Sequence, residues 1–252
     1  MIWRKQTSSK IFVFKSADLA DLADRHCDAY QAASPYPHAV IDGFLSEPVA
    51  NQVLSAFPKP DADIWLDWRK RDIEHQPLKQ GIGHAERLEL ADPFLHQVIL
   101  AFNSYPLINF LEILTGIKGL IPDPHLSGGG LHQILTGGKL AVHADFNYLE
   151  RLGLYRRINL LLYLNKNWKD EYGGHLEMWD KQMQRCVKRV LPAFNRCVVF
   201  NTSATSYHGH PEPLACPQGV TRKSLAFYYY TQTSGEDAER HETLWQKRPS
   251  GS

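Results

Sequence analysis

The chain has 252 residues, of which 43% are apolar and 22% charged, with 28 Lys plus Arg against 27 Asp plus Glu. A chain of this length buries roughly 70% of its unfolded surface, enough for one sizeable core without disulfide or metal staples. The balanced charge gives no general pull toward nucleic acid or an anionic membrane, and no apolar run approaches the ~20 residues of a spanning helix.

The N-terminal MIWRKQTSSKIFVFK has only a four-residue apolar stretch, which speaks against a secretory signal. Ser16 can cap a helix carrying Leu19, Leu22, Ala23, His26, Cys27 and Tyr30 on one stripe. A short strand at Ala39 to Ile41 meets Asp42-Gly43. Ser46 and Pro48 open a second helix, Asp92-Pro93 a third, and Ser104 with Pro106 a fourth that stops at Gly116. Residues 58–90 read as polar and irregular, with Trp65, Trp68 and the basic run Arg69 to Arg71.

From about residue 128 the hydrophobic period changes to two. Eight strands are expected at 131–135, 139–146, 157–165, 175–179, 185–191, 197–201, 205–210 and 222–231, with turns at Gly137-Gly138, Gly173-Gly174 and Pro192. This pattern predicts a jelly-roll barrel rather than a parallel sheet. The expected organisation is one compact unit: helical support over 1–127, a β core over 128–232, and a polar tail over 233–252. Cys27, Cys186, Cys197 and Cys216 lack CxxC spacing, so reduced thiols in a cytoplasmic protein are expected.

Five His-x-Asp/Glu pairs occur where composition alone gives about one. His26/Asp28 lies in a helix pattern, where residues two apart diverge. His84/Glu86 lies in a polar loop with no strand signal, and Pro211 biases the backbone of His210 before it toward the extended region. His143/Asp145 sits in KLAVHAD, alternating with Leu140 and Val142, so imidazole and carboxylate project from one strand face. His175/Glu177 shares that geometry and is the rival. A third ligand must come from a later strand, and His208 fits, with His210 as the alternative. Two histidines and one carboxylate on one face of a metal leave open positions for co-substrate and O₂. Arg222 starts the last strand on the same face as Ser224, and its planar guanidinium suits bidentate capture of a carboxylate.

The segments VHADFN, RRINLLLYLNKNW, GGHLEMW, NRCVVFNTSATSYHGHPEP and RKSLAFYYYT resemble the prolyl-4-hydroxylase-like branch of Fe(II)/2-oxoglutarate-dependent oxygenases. PHAVIDGFLSEPVANQVLSAFP is similar to the lead-in of such domains. The resemblance implies a double-stranded β-helix, jelly-roll or cupin-like, flanked by N-terminal helices. It implies Fe(II) held by His143, Asp145 and His208, and 2-oxoglutarate held by Arg222 with Ser224 and Tyr163. Gln133 takes a co-substrate-lining position where relatives usually carry Tyr, Asn147 either faces the open coordination site or caps a turn, and Trp65, Trp68 and Trp245 either clamp a substrate or cover the barrel. The implied reaction consumes O₂, releases succinate and CO₂, and hydroxylates an unactivated C–H bond of a prolyl, amino-acid-like or other small substrate, with ascorbate in support. The implied partner is a small-molecule or peptidyl substrate, with no nucleic acid and no membrane. A non-catalytic jelly-roll binding module or an iron/2-oxoglutarate sensor is the alternative class.

Overall fold

The computed structural model describes residues 13–67, 74–235 and 239–249. In chain order the elements are α1 Ser16–Gln31, β1 His38–Asp42, α2 Glu47–Ala56, β2 Leu66–Asp67, β3 Lys79–Gly81, α3 Pro93–Phe102, α4 Tyr105–Thr115, β4 Ile121–Pro122, β5 Gly130–Ile134 and β6 Leu140–Ala144. They continue with β7 Tyr148–Leu149, β8 Leu154–Tyr163, β9 Leu176–Trp179, β10 Cys186–Val190, β11 Arg196–Asn201, β12 His208–His210, β13 Arg222–Thr231 and β14 Leu244–Trp245.

The helix boundaries follow local chemistry. Asp92 Oδ1 accepts from the Phe94 amide at 2.8 Å and caps α3. Gly116, with φ 73°, ends α4 in the left-handed region. Ser16 is the first residue of α1 rather than its cap, and Lys15 takes the cap position.

The strands form two antiparallel sheets. The larger runs β1-β11-β8-β13-β5-β3-β2, with β4 on β13 and β7 on β8; the smaller runs β10-β9-β12-β6-β14. All eight strands expected from the period-two pattern are present, shifted at their ends by up to three residues. The segments flanking the barrel region also contribute strands: β1 extends the large sheet through β11, and β14 pairs with β6 at Leu244↔Ala144 and Trp245↔His143.

Alternation sorts the two faces of the large sheet. Ile158, Leu160 and Leu162 of β8 and Leu225, Phe227 and Tyr229 of β13 join the core shared with α2, α3 and α4. Phe227 stacks on Phe102 at 4.3 Å between ring centroids, and the Tyr229 hydroxyl donates to the Phe102 carbonyl at 2.9 Å. Each such buried aromatic contributes about 1.5–3 kcal/mol. The helices thereby clamp one face of β8 and β13, leaving the other to face the small sheet.

Candidate metal and co-substrate site

His143 and His208 are direct cross-strand partners of β6 and β12. Opposed residues on neighbouring strands have Cβ atoms about 5 Å apart, and here the imidazole centroids lie 4.5 Å apart. Asp145 follows two residues after His143 and shares its face. Asp145 Oδ1 is 3.6 Å from His143 Nε2, and Oδ2 is 3.4 Å from His208 Nε2.

Each histidine is oriented from behind. His143 Nδ1 donates to the Ala141 carbonyl at 2.8 Å and His208 Nδ1 to the Ser206 carbonyl at 2.9 Å. A carbonyl can only accept, so Nδ1 carries the proton and each Nε2 presents a lone pair toward the carboxylate. Among the described residues these three form the one group of His, Cys, Asp or Glu donors able to hold a metal, with ligand atoms mutually within 4.8 Å. Two imidazole nitrogens and one carboxylate suit Fe(II) with open positions left over.

Second to the donors stands a buried cation. Arg156 Nη2 lies 3.2 Å from Asp145 Oδ2, and Asn159 Nδ2 donates to the same oxygen at 2.7 Å. Arg156 also donates from Nε and Nη2 to Asn159 Oδ1, at 2.9 and 2.6 Å, and stacks on the Tyr228 ring at 3.5 Å. Burial alone would raise the Asp145 carboxyl, but Arg156, His208 and His143 hold it well below the usual carboxylate range. Burial, reinforced by His143, lowers His208 to about 4.

Arg222 stands in the same cavity, which measures about 90 Å³ and is also lined by Tyr163, Ser224, His132 and His210. Its Nε donates to the Gly174 carbonyl at 2.7 Å and its Nη2 to the Tyr163 hydroxyl at 3.2 Å. Gly174 has φ 70°, and a Cβ there would lie 2.6 Å from Leu214 Cδ2 and 3.0 Å from Arg222 Cδ. Only glycine lets the backbone come close enough to orient the guanidinium. Arg222, Tyr163 and Ser224 are each buried. A fixed cation with free N–H groups in a cavity that also holds a three-donor face fits a dicarboxylate chelating a metal at its other end.

The sequence model of the 2OG-Fe(II) oxygenase superfamily matches residues 129–230. This segment belongs to that superfamily. The oxygenase segment spans β6, β12 and β13, and therefore all the donors above. Fe(II) is the metal and 2-oxoglutarate the co-substrate of the family. The chain is 33% identical to prolyl 3-hydroxylase OGFOD1 of Mus musculus over 79 residues, which are 30% of this chain and 14% of that relative. It thus spans a small part of the length of the curated relative it matches.

Two solved structures share the fold. The prolyl hydroxylase of Trichoplax adhaerens, in complex with a hypoxia inducible factor peptide fragment, superposes with a TM-score of 0.55 at 15% identity, covering 88% of this chain and 95% of that one. HygX of Streptomyces hygroscopicus, with nickel, 2-oxoglutarate and hygromycin B bound, gives 0.53 at 13% identity, covering 82% and 86%.

Four expected site residues are placed elsewhere or undescribed. Gln133 does not line the cavity. It is on the helix-facing side of β5, donating to Gln80 Oε1 at 2.8 Å and accepting from the Thr221 hydroxyl at 2.9 Å, and its neighbour His132 faces inward instead. Asn147 holds the C-terminal tail, donating to the Glu239 carbonyl at 2.7 Å and accepting from the His241 amide at 2.9 Å. Trp65 belongs to the helix-side core, 5.8 Å from the Phe57 ring, with its indole N–H on the Lys59 carbonyl. Trp68 lies outside the described residues, as do Arg69 to Arg71. The rival pair divides: His175 Nε2 meets Asp170 at 2.9 Å, while Glu177 accepts from Trp179 Nε1 at 3.1 Å.

Two neighbours of the donors, Arg156 and Asn159, escaped the sequence reading. Arg156 and Asn159 sit three residues apart, which strict alternation assigns to opposite faces. A bulge between Tyr229↔Ile158 and Tyr230↔Arg156 resets the register and turns both inward. Trp245 of the tail, 5.0 Å from the His143 ring and stacked on His75 at 4.3 Å, lines the mouth of the site with Phe146 and Tyr228.

Proposed function

We propose that this chain is a Fe(II)- and 2-oxoglutarate-dependent hydroxylase acting on a prolyl residue, an amino acid or a comparable small molecule. One observation carries the reading: the three-donor face of His143, Asp145 and His208 shares one buried cavity with the Arg222 guanidinium. The prolyl preference rests on the hydroxylase relatives.

Fe(II) with 2-oxoglutarate and O₂, aided by ascorbate, supplies the oxidation of an unactivated C–H bond, with succinate and CO₂ released. The residues do the rest. His143, Asp145 and His208 hold the metal. Arg222, with Tyr163 and Ser224, receives the far carboxylate. The aromatic mouth of Phe146, Tyr228 and Trp245 admits the substrate and excludes bulk water from the charged interior. The four cysteines are free thiols, which suits a reducing cytoplasm.

The test is a turnover screen of prolyl peptides, free amino acids and small metabolites with Fe(II), 2-oxoglutarate and O₂. Succinate release coupled to a gain of one oxygen in one substrate is expected, and Asp145→Ala should show neither. Tight binding of metal and 2-oxoglutarate without turnover of any kind, even uncoupled, would favour a sensor or binding module instead.

A further inference from the structure

Beside Arg222 the cavity wall carries a second group whose hydrogen-bonding capacity the protein leaves unused. His210 is 2% exposed and lines the cavity. Neither Nδ1 nor Nε2 has a hydrogen-bond partner. His143 and His208 show how this fold anchors an imidazole it wants only to orient: Nδ1 goes to a backbone carbonyl two residues back. His210 has no such anchor. A buried imidazole with both nitrogens unpaired is costly, and buried polar groups in folded proteins nearly always find partners.

We propose that His210 donates a hydrogen bond to the distal carboxylate of 2-oxoglutarate and, with Arg222, selects a dicarboxylate over a monocarboxylate 2-oxo acid. This rests on the function proposed above. Three features support the assignment. First, Arg222 already gives Nε to Gly174 and Nη2 to Tyr163, and an ionised carboxylate accepts at about four lone-pair sites, so it calls for donors beyond one guanidinium edge. Second, His210 lies two residues past His208 on β12, about 7 Å along a strand, which matches the reach of a five-carbon dicarboxylate that chelates at one end. Third, His210 stands outside the three-donor metal group, so the metal does not account for its unpaired nitrogens.

Gly209 makes this placement possible. A Cβ at Gly209 would lie 2.8 Å from the Ala141 carbonyl oxygen and 2.9 Å from that of Leu140. Its absence lets β12 press onto β6 through a register shift, with His208 opposite His143 and His210 opposite Leu140.

The experiment titrates metal-loaded, anaerobic protein by calorimetry with 2-oxoglutarate and with 2-oxopentanoate, which has the same carbon count and no distal carboxylate. Wild type, His210→Leu and His210→Gln are compared, and Mn(II) affinity is measured for each. His210→Leu should weaken 2-oxoglutarate by about 10- to 100-fold, the size of a hydrogen bond to a charged group. It should leave 2-oxopentanoate and Mn(II) binding unchanged. His210→Gln keeps an N–H donor and should recover part of the loss.

Equal loss for both 2-oxo acids, or no loss for either, overturns the proposal. Loss of Mn(II) binding in both variants overturns it too, by assigning His210 to the metal. A wild type that binds neither 2-oxo acid sinks the oxygenase reading itself, whereas a wild type that binds 2-oxoglutarate no better than the variants do sinks only the role of His210.

Discussion

The guanidinium of Arg156 lies 3.2 Å from Asp145 Oδ2, so the one carboxylate of the donor set is already paired with a buried cation before any metal arrives. The Arg156 side chain is 1% exposed and that of Asp145 12%. Asn159 braces the pair from one side and the Tyr228 ring from the other. The pairing allows two imidazoles and a carboxylate to be desolvated together without a stray net charge. It also means that an incoming divalent cation meets a donor whose charge is already partly neutralised.

Arg156→Met should therefore destabilise the metal-free protein by about 3–5 kcal/mol, the usual cost of stranding one partner of a buried ion pair. Added divalent metal should rescue the variant by more than it stabilises wild type, because the cation replaces the missing charge and binding to the folded state is linked to stability. Urea unfolding of both proteins with and without Mn(II) measures this. An equal metal increment in the two would remove Arg156 from any electrostatic role at the site.

The metal-free protein should lose stability as pH falls from about 6.5 toward 4. Burial, with His143 beside it, lowers His208 to about 4 in the folded state, while an unfolded histidine titrates near 6.5. The unfolded chain thus binds the proton first on acidification. The contribution is whole above about pH 6.5 and is lost as pH drops through the folded value. A shift of that size is worth about 3 kcal/mol at most. His132 and His210, both lowered chiefly by burial, act in the same direction. Asp145, held below the carboxylate range, adds its loss only below about pH 4. Urea midpoints at pH 7.5, 6 and 5 should fall in order, and less steeply in His208→Gln. A flat wild-type profile would contradict the buried, neutral histidines.

The long strands of the large sheet were legible because one face of them packs on helices. Leu160, Leu162, Leu225 and Phe227 repeat every second residue, and that period fixes which residues look inward, Tyr163 and Ser224 among them. Parity breaks wherever the backbone inserts a residue. The β8 bulge hid Arg156 and Asn159, whose spacing of three looks like opposite faces. Parity also decides between Gln133 and His132. His132 pairs with Ser224 in register, so the face of Ser224 selects His132, while Gln133 follows Leu131 toward the helices. The tail was unreadable for a different reason. A two-residue strand such as Leu244–Trp245 has no period of its own, and only the β6 edge gives it one.

Asn147→Ala should loosen that tail. The Asn147 side chain contributes two of the hydrogen bonds that dock residues 239–241, and its amide donates to the His241 carbonyl at 3.2 Å. Losing the two side-chain bonds should lower local stability by about 1–3 kcal/mol. Hydrogen exchange at the amides of Leu244, Trp245 and Gln246 should then quicken by roughly 10-fold or more, with β8 and β13 unaffected. Unchanged protection at these amides would show that Trp245, stacked on His75, suffices to hold the strand.

Arg222 gives the sharpest separation of the oxygenase from a generic metal-binding jelly roll. The far carboxylate of 2-oxoglutarate would enter a cavity walled by buried residues, where an unpaired charge is costly. Removing its partner should cost on the order of 3–5 kcal/mol, a loss of a few hundred-fold or more in affinity if it appears wholly in binding. Arg222→Ala also strands the Gly174 carbonyl and the Tyr163 hydroxyl, so its melting temperature should fall as well. Arg222→Lys supplies the charge without the planar fork. It cannot serve Gly174, Tyr163 and a carboxylate in one geometry, so it should recover only part of the affinity. Metal content should change little, because the donor set excludes Arg222. Anaerobic titration of 2-oxoglutarate into the three Fe(II)-loaded proteins, followed through the metal-to-ligand charge-transfer band, measures the series directly. Equal apparent affinities in all three would mean that the guanidinium serves only to tie Gly174 of the 173–175 segment to Tyr163 of β8, and the cavity would need another account of its buried cation.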